Sequence, residues 1–233
     1  TAIGDVLAGF SVTIGILAAL RHKEKTGVGQ QVDVALVDSA VASLEIITQI
    51  YLAEGRLPQR IGNRYESVYP YDSFETKDSM VVIGAGNDKL WRLLCKAMGD
   101  PDLADKPEYE KNVQRVERHE ELRPIVEAWT KTKTGEEVVN ELLAMGVPAA
   151  PINDISQVVK DPHIAGDRQM FVEVNHPKAG KMKITGCHIK LSETKPVIRT
   201  PAPLLGQHNK EVYHELLGLS EEQIEALQKK SII

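Results

Sequence analysis

The sequence predicts a mixed α/β chain, and three observations predict it. A nearly unbroken apolar run at 6–20 has the length of a core helix. The middle of the chain alternates apolar runs with amphipathic stretches, 79–84 followed by 88–98 being the clearest pair. The stretch 191–206 carries Pro196, Pro201 and Pro203 and reads as extended chain wrapping a surface. At 233 residues, 42% hydrophobic and 26% charged, the chain has room for one large domain or two small ones. That composition excludes a disordered tract, a coiled coil and a fibre.

The elements follow in order. Asp5 stands where an N-cap belongs, ahead of a helix reaching about Glu24 that is expected to be buried. Arg21, His22, Lys23 and Lys25 sit near its negative end. A turn at 26–29 leads to an alternating strand at 31–36. A second helix at 38–54 is apolar on most sides through Val41, Leu44, Ile47, Ile50 and Tyr51, and stops at Gly55 before a linker. Tyr65, Tyr69 and Tyr71 then cluster. The strand at 79–84 and the helix at 88–98 end at Asp100-Pro101, and a further helix spans 118–131. Thr134 and Glu137 form a capping box for a helix that Gly146 ends. Short strands are expected at 149–152, 171–174 and 182–184. Helices at 210–217 and 221–230 close the chain, the second capped by Ser220 and Gln223.

Several function classes drop out. With 28 basic and 33 acidic residues the net charge is −5, and no basic stripe marks a nucleic-acid binder. The run at 6–20 is short of a membrane span and lacks the flanks of a signal peptide, so no membrane role is expected. Cys95 and Cys187 form no disulfide framework or thiol cluster, which points to a reducing, cytoplasmic setting (mitochondrial if the source is eukaryotic). His208 and His214 lack the spacing of helical metal ligands, and no metal site is expected. Neither a nucleophile elbow nor a phosphate loop occurs. Gly84-Ala85-Gly86 resembles the start of a dinucleotide fingerprint, but Lys89 occupies the place of its third glycine, which favours a plain strand-turn-helix corner.

Asp5 is the carboxylate with chemical interest. As a cap it would accept backbone N–H bonds; shielded from water, it could instead attack an activated carbonyl. The positive end of a helix dipole favours a carboxylate in either role. Periodicity does not choose between them.

An ordered series of motifs resembles the class III coenzyme A transferases, the group that holds formyl-CoA, carnitine and succinyl-CoA-dependent transferases. It begins with Gly4-Asp5-x-x-Ala8-Gly9 and Lys25-Thr26-Gly27-x-Gly29-Gln30. It continues with Gly62-Asn63, Tyr69-Pro70-Tyr71-x-x-Phe74-x-Thr76-x-Asp78 and Gly86-Asn87-Asp88. Asn112, Arg115-Val116, Gly146-Val147-Pro148, Asp161-Pro162-His163, His176-Pro177 and the run 203–208 complete it.

The resemblance implies part of a Rossmann-like large domain plus a smaller α+β domain, in an interlocked homodimer. Residues 1–54 would end the first half of the large domain and 55–68 would be a linker. Residues 69–175 would form the small domain, and 176–233 an arm returning to the large one. Thr1 is not Met, and a core helix so near it suggests the C-terminal part of a longer protein. Asp5 matches the family's catalytic aspartate, so the implied activity moves CoA between an acyl-CoA and a small carboxylic acid. No permanently bound cofactor is implied; coenzyme A enters as co-substrate, with Leu36 a candidate contact. Gly62 and Asn63 are candidate substrate neighbours, although the glycine-rich lid of formyl-CoA transferase is reduced here to one glycine. The stretches 69–74 and 82–87 look most like the succinyl-CoA:glutarate branch, which suggests a dicarboxylate. The alternatives are an α-methylacyl-CoA racemase of the same fold and a non-catalytic assembly fragment.

Overall fold

The computed structural model describes all 233 residues, Thr1–Ile233. Spacing decides which helices are buried. Leu122, Val126 and Thr130 stand four apart in α6 (His119–Thr130), and all three are buried. The same logic buries Trp91, Leu94 and Cys95 of α4 (Asp88–Ala97) and Val138 and Leu142 of α7 (Gly135–Ala144). Opposite them lies an antiparallel sheet in the order β1 (Tyr71–Glu75), β2 (Met80–Gly84), β3 (Ala149–Pro151). Phe74 pairs with Val81 and Ile83 with Ala149, so Phe74, Val81 and Ile83 enter the core together. A cluster of 17 buried residues results, all between Tyr69 and Val147. Burying each Leu or Phe side chain contributes roughly 1.5–3 kcal/mol. Within it, burial pushes the Cys95 thiol up to about 12, which leaves it inert at neutral pH.

Local chemistry sets the edges of this layer. Asn87 Oδ1 accepts the Leu90 N–H at 2.9 Å and starts α4. Because β2 is antiparallel to both neighbours, the corner at 84–87 belongs to no βαβ crossover, and the plain-corner reading holds. The capping box at Thr134 and Glu137 forms as expected, with the Thr134 N–H donating to Glu137 Oε2 at 2.8 Å. The Gly135 N–H donates to Asp78 Oδ1 at 2.9 Å, tying α7 to the β1–β2 turn. A Cβ on Gly135 would collide with Ser79 Oγ and press on Val81, so a side chain there would first have to turn the serine hydroxyl away.

The Gly135 amide holds the Asp78 carboxyl below its ordinary range, and the Thr134 backbone N–H does the same for Glu137. Both groups therefore contribute stability above the unfolded carboxylate range and lose it as pH falls through their lower folded values. Thermal melts at decreasing pH should show a flat melting temperature that drops below about pH 4. The Asp78→Asn variant should melt lower at neutral pH and show a shallower acid dependence; an unchanged acid slope would refute the assignment.

The N-terminal elements depart from expectation. Helix α1 runs Ile3–Thr26 and begins upstream of Asp5, since the Val6 N–H already bonds to Ala2 O at 3.2 Å. Ala2 is the N-cap, and Asp5 lies inside the first turn instead of capping it. No α1 residue is buried, and Ile14 and Leu17 are 67% and 62% exposed, so the expected buried helix is an open apolar one in this chain. By length and composition α1 would also suit a membrane span.

The alternating stretch 31–36 forms no strand, because no other segment pairs with it and a strand exists only through its ladder. It runs instead past α1, with Val32 so near Gly15 that a Cβ there would lie 2.7 Å away. The single helix expected at 38–54 is two, α2 (Leu36–Ala42) and α3 (Glu45–Glu54), bent by 75°. Ser43 Oγ donates to the Ala40 carbonyl at the break, and Glu45 takes φ +46°.

Beyond the core, α5 (Asn112–Glu117) precedes α6, and α8 (Ile155–Val158) follows β3. The hairpin of β4 (Phe171–His176) and β5 (Gly180–Thr185) appears where the two later strands were expected. The proline-bearing stretch 191–206 forms no helix or strand, as expected. Helices α9 (Asn209–Leu217) and α10 (Glu221–Lys229) end the chain, with Ser220 and Gln223 forming the expected box.

Candidate active site

Asp5 is exposed on the first turn of a 24-residue helix, at the positive end of its dipole, where the Gly4 and Asp5 amides have no backbone partner. Those are the groups that steady a carboxylate or a developing oxyanion. Helix α1 packs chiefly on α2, and Phe10 meets His188 edge-on at 5.4 Å, which brings the C-terminal stretch alongside.

The other sequence-predicted residues lie elsewhere. Leu36 is the first residue of α2 and is exposed. Gly62 takes φ +70°, a conformation suited to glycine, and lines a cleft of about 540 Å³ between the α2–α3 break and the linker. Asn63 Nδ2 donates to Ser73 Oγ at 3.1 Å and fastens the segment before β1 to that strand. No hydrogen bond or ion pair joins Asp5 to Leu36, Gly62 or Asn63.

A polar cavity escaped the sequence reading. Arg60, Arg64, Tyr69, Asp72, His119 and Arg123 line it, drawn from the linker, β1 and the start of α6. Asp72 is buried and accepts from Arg123 Nη1 at 2.7 Å, while Arg123 Nη2 donates to Ser73 O at 2.9 Å. The only sequence signal was the group of arginines and tyrosines at 56–71, which has no periodicity to give it a direction.

Arg115 is the other feature of consequence. It is fully buried, with Nε donating to Tyr69 O at 2.9 Å and Nη1 to the Tyr109 and Glu110 carbonyls at 2.9 and 2.8 Å. Its Nη2 pairs with Asp88 at 2.9 Å, and the guanidinium lies 5.5 Å from the Trp91 ring centre. Every polar edge of the side chain is therefore spent on structure.

The fold and the exposed aspartate define a mixed helix-and-sheet protein with a carboxylate held at a long helix's start. The profile of CoA-transferase family III matches residues 1–209, and the chain belongs to that family. It is 42% identical over 91% of its length to the succinyl-CoA:mesaconate CoA-transferase of Haloarcula marismortui, covering 53% of that protein. It is 33% identical to the succinyl-CoA:glutarate CoA-transferase of Mus musculus over 100% of its length and 53% of that protein. A crystal structure of a CAIB/BAIF family protein from Brucella suis superposes with a TM-score of 0.74 at 29% identity, covering 93% of this chain and 56% of that one. The chain spans about half the length of the curated relatives it matches.

Proposed function

We propose that this chain carries the nucleophile of a CoA-transferase that moves CoA from succinyl-CoA, or a similar acyl-CoA, to a second dicarboxylic acid. The single observation that carries the reading is Asp5, exposed in the first turn of α1 within a family match that includes it. Relatives named for mesaconate and glutarate support a dicarboxylate as acceptor.

The cycle uses one carboxylate four times. An Asp5 oxygen attacks the thioester carbonyl; the C–S bond breaks, and CoA leaves as thiolate from a mixed anhydride. The thiolate then attacks the Asp5 carbonyl, releasing the first acid and leaving an aspartyl-CoA thioester. The acceptor carboxylate attacks that thioester, expelling thiolate and forming a second anhydride. Thiolate attack on the acceptor's carbonyl yields the new acyl-CoA and regenerates the Asp5 carboxylate. Each tetrahedral intermediate carries an oxyanion, for which the free amides at the start of α1 are suitable donors. Water must be kept away, since anhydride and thioester both hydrolyse.

The open apolar faces of α1, α2 and α3 support assembly: Ile14, Leu17, Val37, Leu52 and Tyr51 are all exposed here. Those faces suit cover by the half of its relatives' length that this chain does not span, or by a second copy, and cover over α1 would shield Asp5 from water; coenzyme A needs no resident cofactor beside it. The test is mass spectrometry of the full gene product after incubation with succinyl-CoA and hydroxylamine. A hydroxamate on Asp5 is expected. An unmodified Asp5 under turnover would overturn the covalent route.

A further inference from the structure

The polar cavity beside the linker has a volume of about 340 Å³, near the lower end for small-molecule pockets, room for a short organic acid and not for a nucleotide. Its charges are unevenly used. Arg123 is held by Asp72 at 2.7 Å and Glu127 at 3.0 Å. Arg60 and Arg64 make no ion pair, and against them stands one exposed acid, Glu120. With Glu127 counted beside Arg123 the charges around the cavity balance, and Arg60 and Arg64 are the two cations lining it that make no ion pair. His119 Nδ1 lies 2.9 Å from the Val116 carbonyl, which commits that nitrogen as a donor and leaves Nε2 uncommitted.

A second observation is independent of charge. Tyr69, fully buried, lines the same cavity, and its hydroxyl has no hydrogen-bond partner. A buried hydroxyl without a partner costs on the order of 1–3 kcal/mol, so an orphan among arginines is a donor waiting for an acceptor. Burial raises its ionisation well above the ordinary tyrosine value, and the charges around it are those of Asp72, Arg123, Glu127 and Arg64, three of which line the cavity. It therefore remains a neutral O–H donor across the working pH range.

We propose that this cavity is a carboxylate subsite: Arg60 and Arg64 bind the free terminal carboxylate of a dicarboxylic acid, and the Tyr69 hydroxyl donates to it. The planar guanidinium fork matches the two oxygens of a carboxylate. The choice of a dicarboxylate rests on the transferase reading; the anion site itself rests on the cavity.

Calorimetric titration of the protein with glutarate, succinate and inorganic phosphate, with no CoA present, tests it. Saturable binding of one of the dicarboxylates, tighter than that of phosphate, is expected. Tyr69→Phe keeps the ring in the core and should weaken binding about tenfold or more while leaving the ligand-free protein as stable or more so. The Arg60→Gln, Arg64→Gln double variant should weaken it on the order of 10²-fold, and Arg21→Gln, remote from the cavity, should not. No saturable binding, tighter phosphate binding, or unchanged affinity in both cavity variants would overturn the subsite. Absence of binding in a protein that still transfers CoA sinks the subsite alone. Binding in a protein with no transfer sinks the function and leaves the anion site.

Discussion

Replacing Asp5 by Asn in the full gene product should reduce CoA exchange on the order of 10⁴-fold or more, because the amide removes the attacking oxygen and nothing replaces it. The side chain is exposed and makes no cap bond, so the substitution should leave the unfolding free energy within about 0.5 kcal/mol of the parent's. That pairing of lost turnover with retained stability separates a nucleophile from a structural aspartate. The measurement is exchange of label between succinate and succinyl-CoA, alongside a thermal melt. Retained exchange in the variant would end the covalent proposal, and a large loss of stability would return Asp5 to a structural role.

The second large effect is expected at Arg115. Arg115→Met keeps much of the side chain's length but leaves the carbonyls of Tyr69, Tyr109 and Glu110 without their donor. Asp88 is 44% exposed and can regain water, so the cost falls mainly on the buried carbonyls. A destabilisation of about 3–5 kcal/mol follows, a large share of the 5–15 kcal/mol that ordinarily holds a domain together. Arg115→Lys should recover little of it, since an ammonium cannot reach four partners spread around a planar fork. Urea melts of the three proteins test this; a Lys variant as stable as the parent would show that charge alone, and not the fork, is what the site requires.

The two residues illustrate what a sequence displays. Asp5 stands out in the sequence because it opens an apolar run and sits in a family motif. Its role as a cap was misread, since the preceding Thr1-Ala2-Ile3-Gly4 gives no signal that the helix starts earlier. Arg115 was legible as part of a motif but not as a buried cross-link, because its partners lie up to 46 residues away. The cavity at Arg60, Arg64 and Tyr69 was invisible for the same reason: residues 55–68 have no period, and β1 buries the neighbours Asp72 and Ser73, which an alternating pattern would place on opposite faces.

What the sequence determined by itself were the elements whose signals are local: the helix of α4, the boxes at Thr134 and Ser220, the glycine that follows α7, and the pattern of β2. These depend on side chains three or four residues apart, which the chain brings together whenever it turns helical. Only the tertiary structure decided that 31–36 finds no strand to pair with, that the apolar stretch 38–54 breaks at Ser43, and that Arg115 and Tyr69 meet. Those outcomes depend on which distant surfaces come into contact, and a periodic pattern records that a face is apolar without recording what will cover it.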